Sequence, residues 1–305
     1  MPGIRYIKHS EIDFLKWDHL INQSPNGLIY AYSWFLNQMA PGWEALVLGD
    51  YEVVMPLTKR KKWGIEYLYQ PSFCAELGVF GREIPSNELV NEMLKHIPKN
   101  FRYIDICLNR NNVYPLSEYP FTLRRNTVLS LKPSYQEIEK KMSLNHRRNI
   151  KKAEKNGLRW VDNVSVEQAV LLAKEVMSDI AEIPRSDWQN FIDLFKNRPT
   201  DTQAVCVGVE NLSGELLSSA VLFYSRNAWY YLLAGTTKKG KKTGAAHLLI
   251  NEFIRRNASS GTYLDFEGSD VDSVAFFYKG FGAVEVNYPA LRLNRLPALI
   301  KWLKR

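Results

Sequence analysis

"LLAGTTKKGKKTGAAHLLINEF", Leu232 to Phe253, passes from an apolar run through four lysines into an amphipathic pattern. A strand that ends in a glycine-containing loop and opens a helix aims unsatisfied backbone N–H groups at one point, where the helix dipole also favours negative charge. Gly244 removes the side chain where an anion needs close backbone approach, Ala245 and Ala246 keep the first turn slim, and Lys241 and Lys242 add charge. The same residues also fit a solvated lysine loop before an ordinary helix, because glycine-bearing βα loops are common. The stretch lacks the GxxxxGK[ST] of a P-loop and the GxGxxG of dinucleotide folds.

The rest of the chain supplies the context. At 305 residues with 46% apolar content it is long enough for one large or two ordinary domains, each with a core. Cys74, Cys107 and Cys206 lie far apart, and the five histidines form no HExxH or H-x-x-x-H pattern, so neither a disulfide framework nor a metal site is expected. The start of the sequence shows no apolar signal core, and no apolar run approaches the ~18 residues of a membrane helix. The expectation is a cytoplasmic protein without stable membrane insertion.

The formal charge is +8, and it is concentrated. Lys140 to Arg159, "KKMSLNHRRNIKKAEKNGLR", carries eight Lys or Arg against Glu154 alone, while "KRKK" at Lys59 to Lys62 and "KKGKK" at Lys238 to Lys242 hold four each. The excess is therefore local and points to anion sites rather than a generally basic surface.

Periodicity and punctuation predict the elements. In the first part Ser10 caps a helix through Ile21, "WEALVLGDYEVVMPLTKR" forms a hairpin turning at Gly49-Asp50, "IEYLYQ" is a strand, Ser86 caps a helix through His96, and "FRYIDICLN" and "FTLRRNTVLSL" are strands. In the second part helices run from Ser134 to Asn156, from Ser165 to about Ile180 and from Ser186. A hairpin turning at Asn211 to Gly214, the strand "WYYLLAGT", a helix from Gly244 to Asn257, the strand "TYLDFEGS", a short helix at Ser273 to Lys279 and two strands in "AVEVNYPALRLN" follow. The tail "LPALIKWLKR" reads as a basic terminal helix. Both halves thus run helix, hairpin, strand, helix, strand. This predicts an α/β (α+β) chain of two similarly built domains, 1–131 and 132–305, each a mixed, mostly antiparallel sheet flanked by helices.

Three segments then bear on family. "KKTGAA", Lys241 to Ala246, resembles the acyl-CoA pyrophosphate loop [Q/R]-x-x-G-x-[G/A] of the GNAT N-acyltransferase superfamily, with Lys241 where Gln or Arg is usual. "AFFYKGFGAVEV" resembles that superfamily's FYxxxGF segment. In order, "RRNIKKAEKNGL", "LDFEGS" and "YKGFG" resemble the two-domain, Fem-type (peptidyltransferase-like) branch, whose tandem GNAT-like folds would account for the repeated element order. The first half shows no donor loop, so the resemblance implies one acyl-donor site, in the second half.

The resemblance implies an N-acyltransferase that moves an acyl group from acetyl-CoA or another acyl-CoA to an amine on a small-molecule or peptide-like acceptor. Leu233, Ala234, Gly235, Lys241, Lys242, Thr243, Gly244, Ala245 and Ala246 would hold the donor. Tyr278 would be the general acid, and Glu267, or less favoured Asp265, would take the amine's proton through water. Arg147, Lys151 and Lys279 would face the acceptor. The ordinary readings beside these are a core tyrosine next to Phe276 and Phe277, a solvated strand edge, and an amphipathic surface helix. Two other functions stay open: a Fem-like aminoacyl transfer from aminoacyl-tRNA to a cell-wall precursor, and a non-catalytic GNAT-fold binding module. A tRNA partner has no support from stacking residues, since no aromatic side chain lies between His146 and Arg159.

Overall fold

The computed structural model describes residues 3–112, 119–177, 183–268 and 270–296. By contacts the chain divides into two compact units, Met1–Arg124 with Asn287–Arg305, and Arg125–Val286. The expected division lay at 131/132, with all later residues in the second part. Strand propensity marks Phe121–Ser130 and Val284–Asn294 as extended, but not which unit their residues join.

The first unit contains β1 (Ile4–Ile7), α1 (Phe14–Gln23), α2 (Ser33–Met39), β2 (Glu44–Leu48), β3 (Val53–Leu57), β4 (Lys59–Lys62), β5 (Ile65–Tyr69), β6 (Phe80–Gly81), α3 (Asn87–Lys95) and β7 (Tyr103–Cys107). Asp13, not Ser10, caps α1, accepting from the amides of Leu15 and Lys16 at 3.1 Å. Ser10 sits in a preceding 3-10 turn. Ser86 caps α3 as expected, through the Leu89 amide. β1, β2, β3 and β6 form one antiparallel sheet, while β5 lies between antiparallel β4 and parallel β7. The core gathers Leu46, Met55, Leu68, Val90, Leu94 and Ile104.

β8 (Phe121–Ser130) begins in the first unit and passes into the second at Arg125, and the second unit continues with α4 (Tyr135–Lys141), α5 (Leu144–Lys155), β9 (Arg159–Val161), α6 (Val166–Met177), α7 (Arg185–Lys196), β10 (Ala204–Glu210), β11 (Leu216–Ser225), β12 (Ala228–Thr236), α8 (Lys238–Thr243), α9 (Ala245–Asn257), β13 (Tyr263–Gly268) and α10 (Asp272–Lys279). The strands run β8-β13-β12-β11-β10-β9, antiparallel except for β12 and β13. The single helix expected over Ser134 to Asn156 is two, because Met142 is extended and Ser143 caps the second by accepting from the His146 amide. α7 starts at Arg185, one residue before Ser186, and the expected end of α6 near Ile180 lies outside the described residues. The last segment is one strand, β14 (Val284–Asn294), rather than a pair, and its later residues pair with β7. The tail "LPALIKWLKR" has only Leu296 within the described residues.

Among the described residues each unit carries a parallel strand pair, β5 with β7 and β12 with β13, each joined by a crossover that includes a helix. No described helix is long and apolar enough to cross a membrane.

Candidate active site

The geometry starts from an interrupted parallel pair. β12 and β13 are in register only over Ala228, Trp229 and Tyr230 against Tyr263, Leu264 and Asp265, although both strands continue. Each strand carries an irregularity just beyond that point. In β12 the register with β11 passes from Tyr231↔Leu222 to Leu233↔Val221, leaving Leu232 as an extra residue. In β13 the register with β8 slips between Asp265 and Gly268, and Glu267 takes a positive φ of 67°. Bulges bend strands and end their pairing, so two of them on facing strands account for a cleft between Tyr231–Thr236 and Phe266–Gly268.

Tyr278, from α10, is held at that cleft. Its ring stacks on Phe266 with centroids 4.3 Å apart and planes 15° apart, and meets Tyr231 edge-on at 6.2 Å. Burial, and after it the Glu267 carboxylate, pushes the Tyr278 phenol well above its ordinary pKa. The hydroxyl thus stays protonated across neutral and alkaline pH, the state a general acid needs. Glu267 is half-buried, and its positive φ breaks the strict alternation that would put it beside Asp265. Asp265 is buried and engaged otherwise: its Oδ1 accepts from Asn126 Nδ2 at 2.8 Å and from the Glu267 amide at 3.0 Å. That carboxylate ties β13 to β8 across the irregularity.

The lysine stretch is helical where an open loop was expected. Thr237 caps α8 by accepting from the Gly240 amide, and Thr243 Oγ1 donates back to the Lys239 carbonyl at 2.9 Å. Lys241 and Lys242 lie exposed in its last turn. Gly244 then turns the chain at φ 86° into α9, whose first amides, on Ala245 and Ala246, have no acceptor within their own helix. A Cβ on Gly244 would lie 2.5 Å from the Asn149 carbonyl oxygen of α5, so the absent side chain makes room for that helix. Gly235 is crowded likewise, a Cβ there falling 2.7 Å from the Ala173 amide nitrogen of α6. Leu233 is buried, and Ala234 and Thr236 are the half-exposed residues of this strand end.

α5 buries His146, Ile150 and Ala153 and exposes Arg148, Lys151, Lys152 and Lys155. Arg147 is half-buried, and its Nε has no hydrogen-bond partner among the described residues. Lys279 is paired with Glu285 at 2.6 Å. Sequence reasoning missed the two histidines behind the site. His146 Nε2 lies 2.8 Å from the Phe277 carbonyl, which can only accept, so Nε2 carries the proton and Nδ1 accepts from the Ser143 hydroxyl at 2.9 Å. His247 of α9 meets His146 at 4.7 Å and Phe277 at 4.9 Å. The pair fastens α5 and α9 to the segment carrying Tyr278; a lone His at each of two distant positions gives no sequence signal.

No family model and no curated protein matches the sequence, but solved structures match the fold. A crystal structure of FemX superposes with a TM-score of 0.66 at 15% identity, covering 99% of this chain and 100% of its own. A tandem GNAT protein from the clavulanic acid biosynthesis pathway, solved without AcCoA, matches at TM-score 0.55 and 10% identity over 97% and 100%. L-PGS from Bacillus licheniformis matches at 0.53 and 13% over 88% and 90%. The chain has a tandem GNAT-like fold, of the two-domain type seen in FemX.

The two GNAT-like halves differ at the corresponding cleft. In the first unit Gln70, directly after β5, donates from Nε2 to the Cys74 carbonyl and accepts from the Cys107 amide, both at 2.9 Å. Leu77 then bridges to Leu108 beside β7. The side chain and loop occupy the backbone groups that β12 and β13 leave apart in the second unit.

Proposed function

We propose that this protein is an acyltransferase that moves an acyl group from an acyl-CoA to an amine-bearing acceptor in the cleft between β12 and β13. The observation that carries the reading is Tyr278: a protonated phenol, fixed on Phe266 at the point where the parallel strands part. The exposed amide edge of β12 near Ala234 would orient the donor's amide-bearing arm. The α9 N-terminus with Lys241 and Lys242 would take its phosphates. The amine nitrogen attacks the carbonyl carbon, the carbon–sulfur bond breaks, Tyr278 gives its proton to the leaving thiolate, and the amine's proton leaves through water toward Glu267. Arg147, whose Nε has no partner among the described residues, is suited to an anion on the acceptor.

Titration calorimetry with acetyl-CoA and CoA, on the wild type and on Lys241→Ala/Lys242→Ala, tests the donor. Binding weakened in the double variant supports the reading, whereas no heat with either ligand sinks it. One observation favours a second reading. α8 takes the place of an open loop, and the room made by Gly244 is already filled by α5, which suits an aminoacyl-tRNA donor of the Fem type at least as well as a pyrophosphate. Transfer from aminoacyl-tRNA without CoA binding would establish it, and a Tyr278→Phe protein unchanged in every assay would mark a non-catalytic module.

A further inference from the structure

The first unit carries a surface that the acyltransferase reading does not use. β4 and β5 form a hairpin in which Lys62 pairs with Ile65, so the turn has two central residues, Trp63 and Gly64. Both have positive φ, 51° and 79°, as a type I′ hairpin turn requires. Gly64 takes that geometry at no cost. Trp63 does not, since a bulky side chain at positive φ is a genuine outlier where Asn is the favoured residue. Burial does not offset this, since the ring is 77% exposed, while Trp43 of the same unit is fully buried. Strain without burial at an aromatic tip points to a partner.

The face behind the tip says which partner. Directly opposed residues share a face, so Arg60 with Tyr67 and Lys62 with Ile65 lie together, and alternation adds Tyr69. Leu68, on the other face, is in the core, whereas Tyr67 and Tyr69 are half-buried outside it. The Arg60 guanidinium lies 4.1 Å from the Tyr69 ring centre, Lys62 Nζ lies 4.8 Å from that of Trp63, and the two tyrosine rings are 6.3 Å apart. Three aromatic rings interleaved with two cations on one strand surface form a stacking platform of the kind that holds unstacked bases beside their phosphates. A membrane surface would engage the tip, Trp63 and Ile65, but would leave the tyrosines farther back along β5 uncovered.

We infer that this hairpin face binds single-stranded nucleic acid, stacking two or three successive bases on Trp63, Tyr67 and Tyr69 with Arg60 and Lys62 on the phosphates. The criterion that α5 does not meet, exposed aromatics among basic residues, is met here. The inference stands on the hairpin alone and its test uses no acyl donor, so its failure leaves the proposed transfer untouched.

The test is fluorescence anisotropy of labelled 12-mers at 50 mM salt, single-stranded RNA and DNA in parallel with a DNA duplex, using the full chain. The variant is Trp63→Asn, which removes the ring and installs the residue the turn prefers, so its melting temperature should hold or rise. It should bind single strands about tenfold more weakly. Arg60→Ala/Lys62→Ala should weaken binding and lower the log–log salt slope by roughly 1.4, about 0.7 per phosphate. Preference for RNA over DNA identifies a contact to the 2′-hydroxyl, and equal affinity identifies stacking and phosphate contacts alone; either supports the platform. Absence of oligonucleotide binding, wild-type affinity in Trp63→Asn, or duplex bound as tightly as single strands overturns it. So does Trp63-dependent binding to phosphatidylglycerol vesicles without oligonucleotide binding, which would make the tip a membrane anchor.

Discussion

Tyr278 lies flat on Phe266, ring centres 4.3 Å apart and planes 15° from parallel, so the phenol of α10 is positioned by the strand that opens the cleft. The contact fixes where the hydroxyl sits, and burial fixes its protonation. Position and protonation thus have separate causes, which makes the role testable one atom at a time.

Replacing Tyr278 by Phe keeps the ring for the stack and removes only the hydroxyl. If the phenol is the general acid, kcat falls by about a hundredfold or more while donor affinity is unchanged. Because the folded phenol titrates far above its ordinary value, wild-type kcat should show no alkaline limb from this group up to pH 10. Steady-state rates of both proteins over pH 6–10, with the donor dissociation constant measured separately, decide the point.

Gly244→Ala separates packing from ligand binding at the lysine stretch. The new methyl meets the Asn149 carbonyl oxygen at 2.5 Å on a backbone held at φ 86°. The cost should be about 1–3 kcal/mol, seen as a lower urea midpoint without donor present. Unchanged stability would mean that α5 yields easily and that the glycine serves a ligand instead.

The repeated element order was legible because it rests on periodicity and on turn residues that act locally: Ser86 caps α3, and Asn156-Gly157 ends α5, Gly157 taking φ 69°. α8 was not. "KKGKKT" has no apolar face to set a period, and it is helical through Thr237, which caps it, and Gly244, which ends it. Nor was the break at Met142-Ser143, since Ser143 also fits a helix interior and its capping role depends on the following turn. In the candidate site, Tyr278 is singled out by its motif. The brace formed by Asp265 is not, because its partner Asn126 is 139 positions away and joins it only through strand pairing. The hairpin platform is hidden from sequence for the same reason: whether Trp43, Trp63, Tyr67 or Tyr69 reaches solvent is a property of packing.

Asp265→Asn tests brace against base. The amide keeps an acceptor oxygen for the Glu267 N–H or Asn126 but cannot take a proton near neutral pH. A brace predicts that Asp265→Asn retains most of its stability and turnover, while Asp265→Ala loses about 1–3 kcal/mol by leaving buried donors unpaired. Loss of turnover in Asp265→Asn at wild-type stability would assign the base to Asp265.

The histidine pair predicts an acid-sensitive second unit. Burial, and then the neighbouring His146, lowers His247 to about 4, and burial lowers His146 as well. Above the ordinary pKa of 6.5 the rings are neutral in both folded and unfolded chains, so their full contribution to stability is present. As pH falls below 6.5 the unfolded chain takes up protons that folded His247 refuses until about pH 4, so stability declines through that window and this contribution levels off below it. Carboxylates also titrate there, so the useful quantity is the difference between wild type and His247→Gln in urea midpoint at pH 7, 5.5 and 4.5. The wild-type advantage should shrink with each step down. A constant difference, or an imidazole C–H resonance of His247 titrating near 6.5 by NMR, would mean that water reaches the ring and that the pair does not hold α9 against the Tyr278 segment.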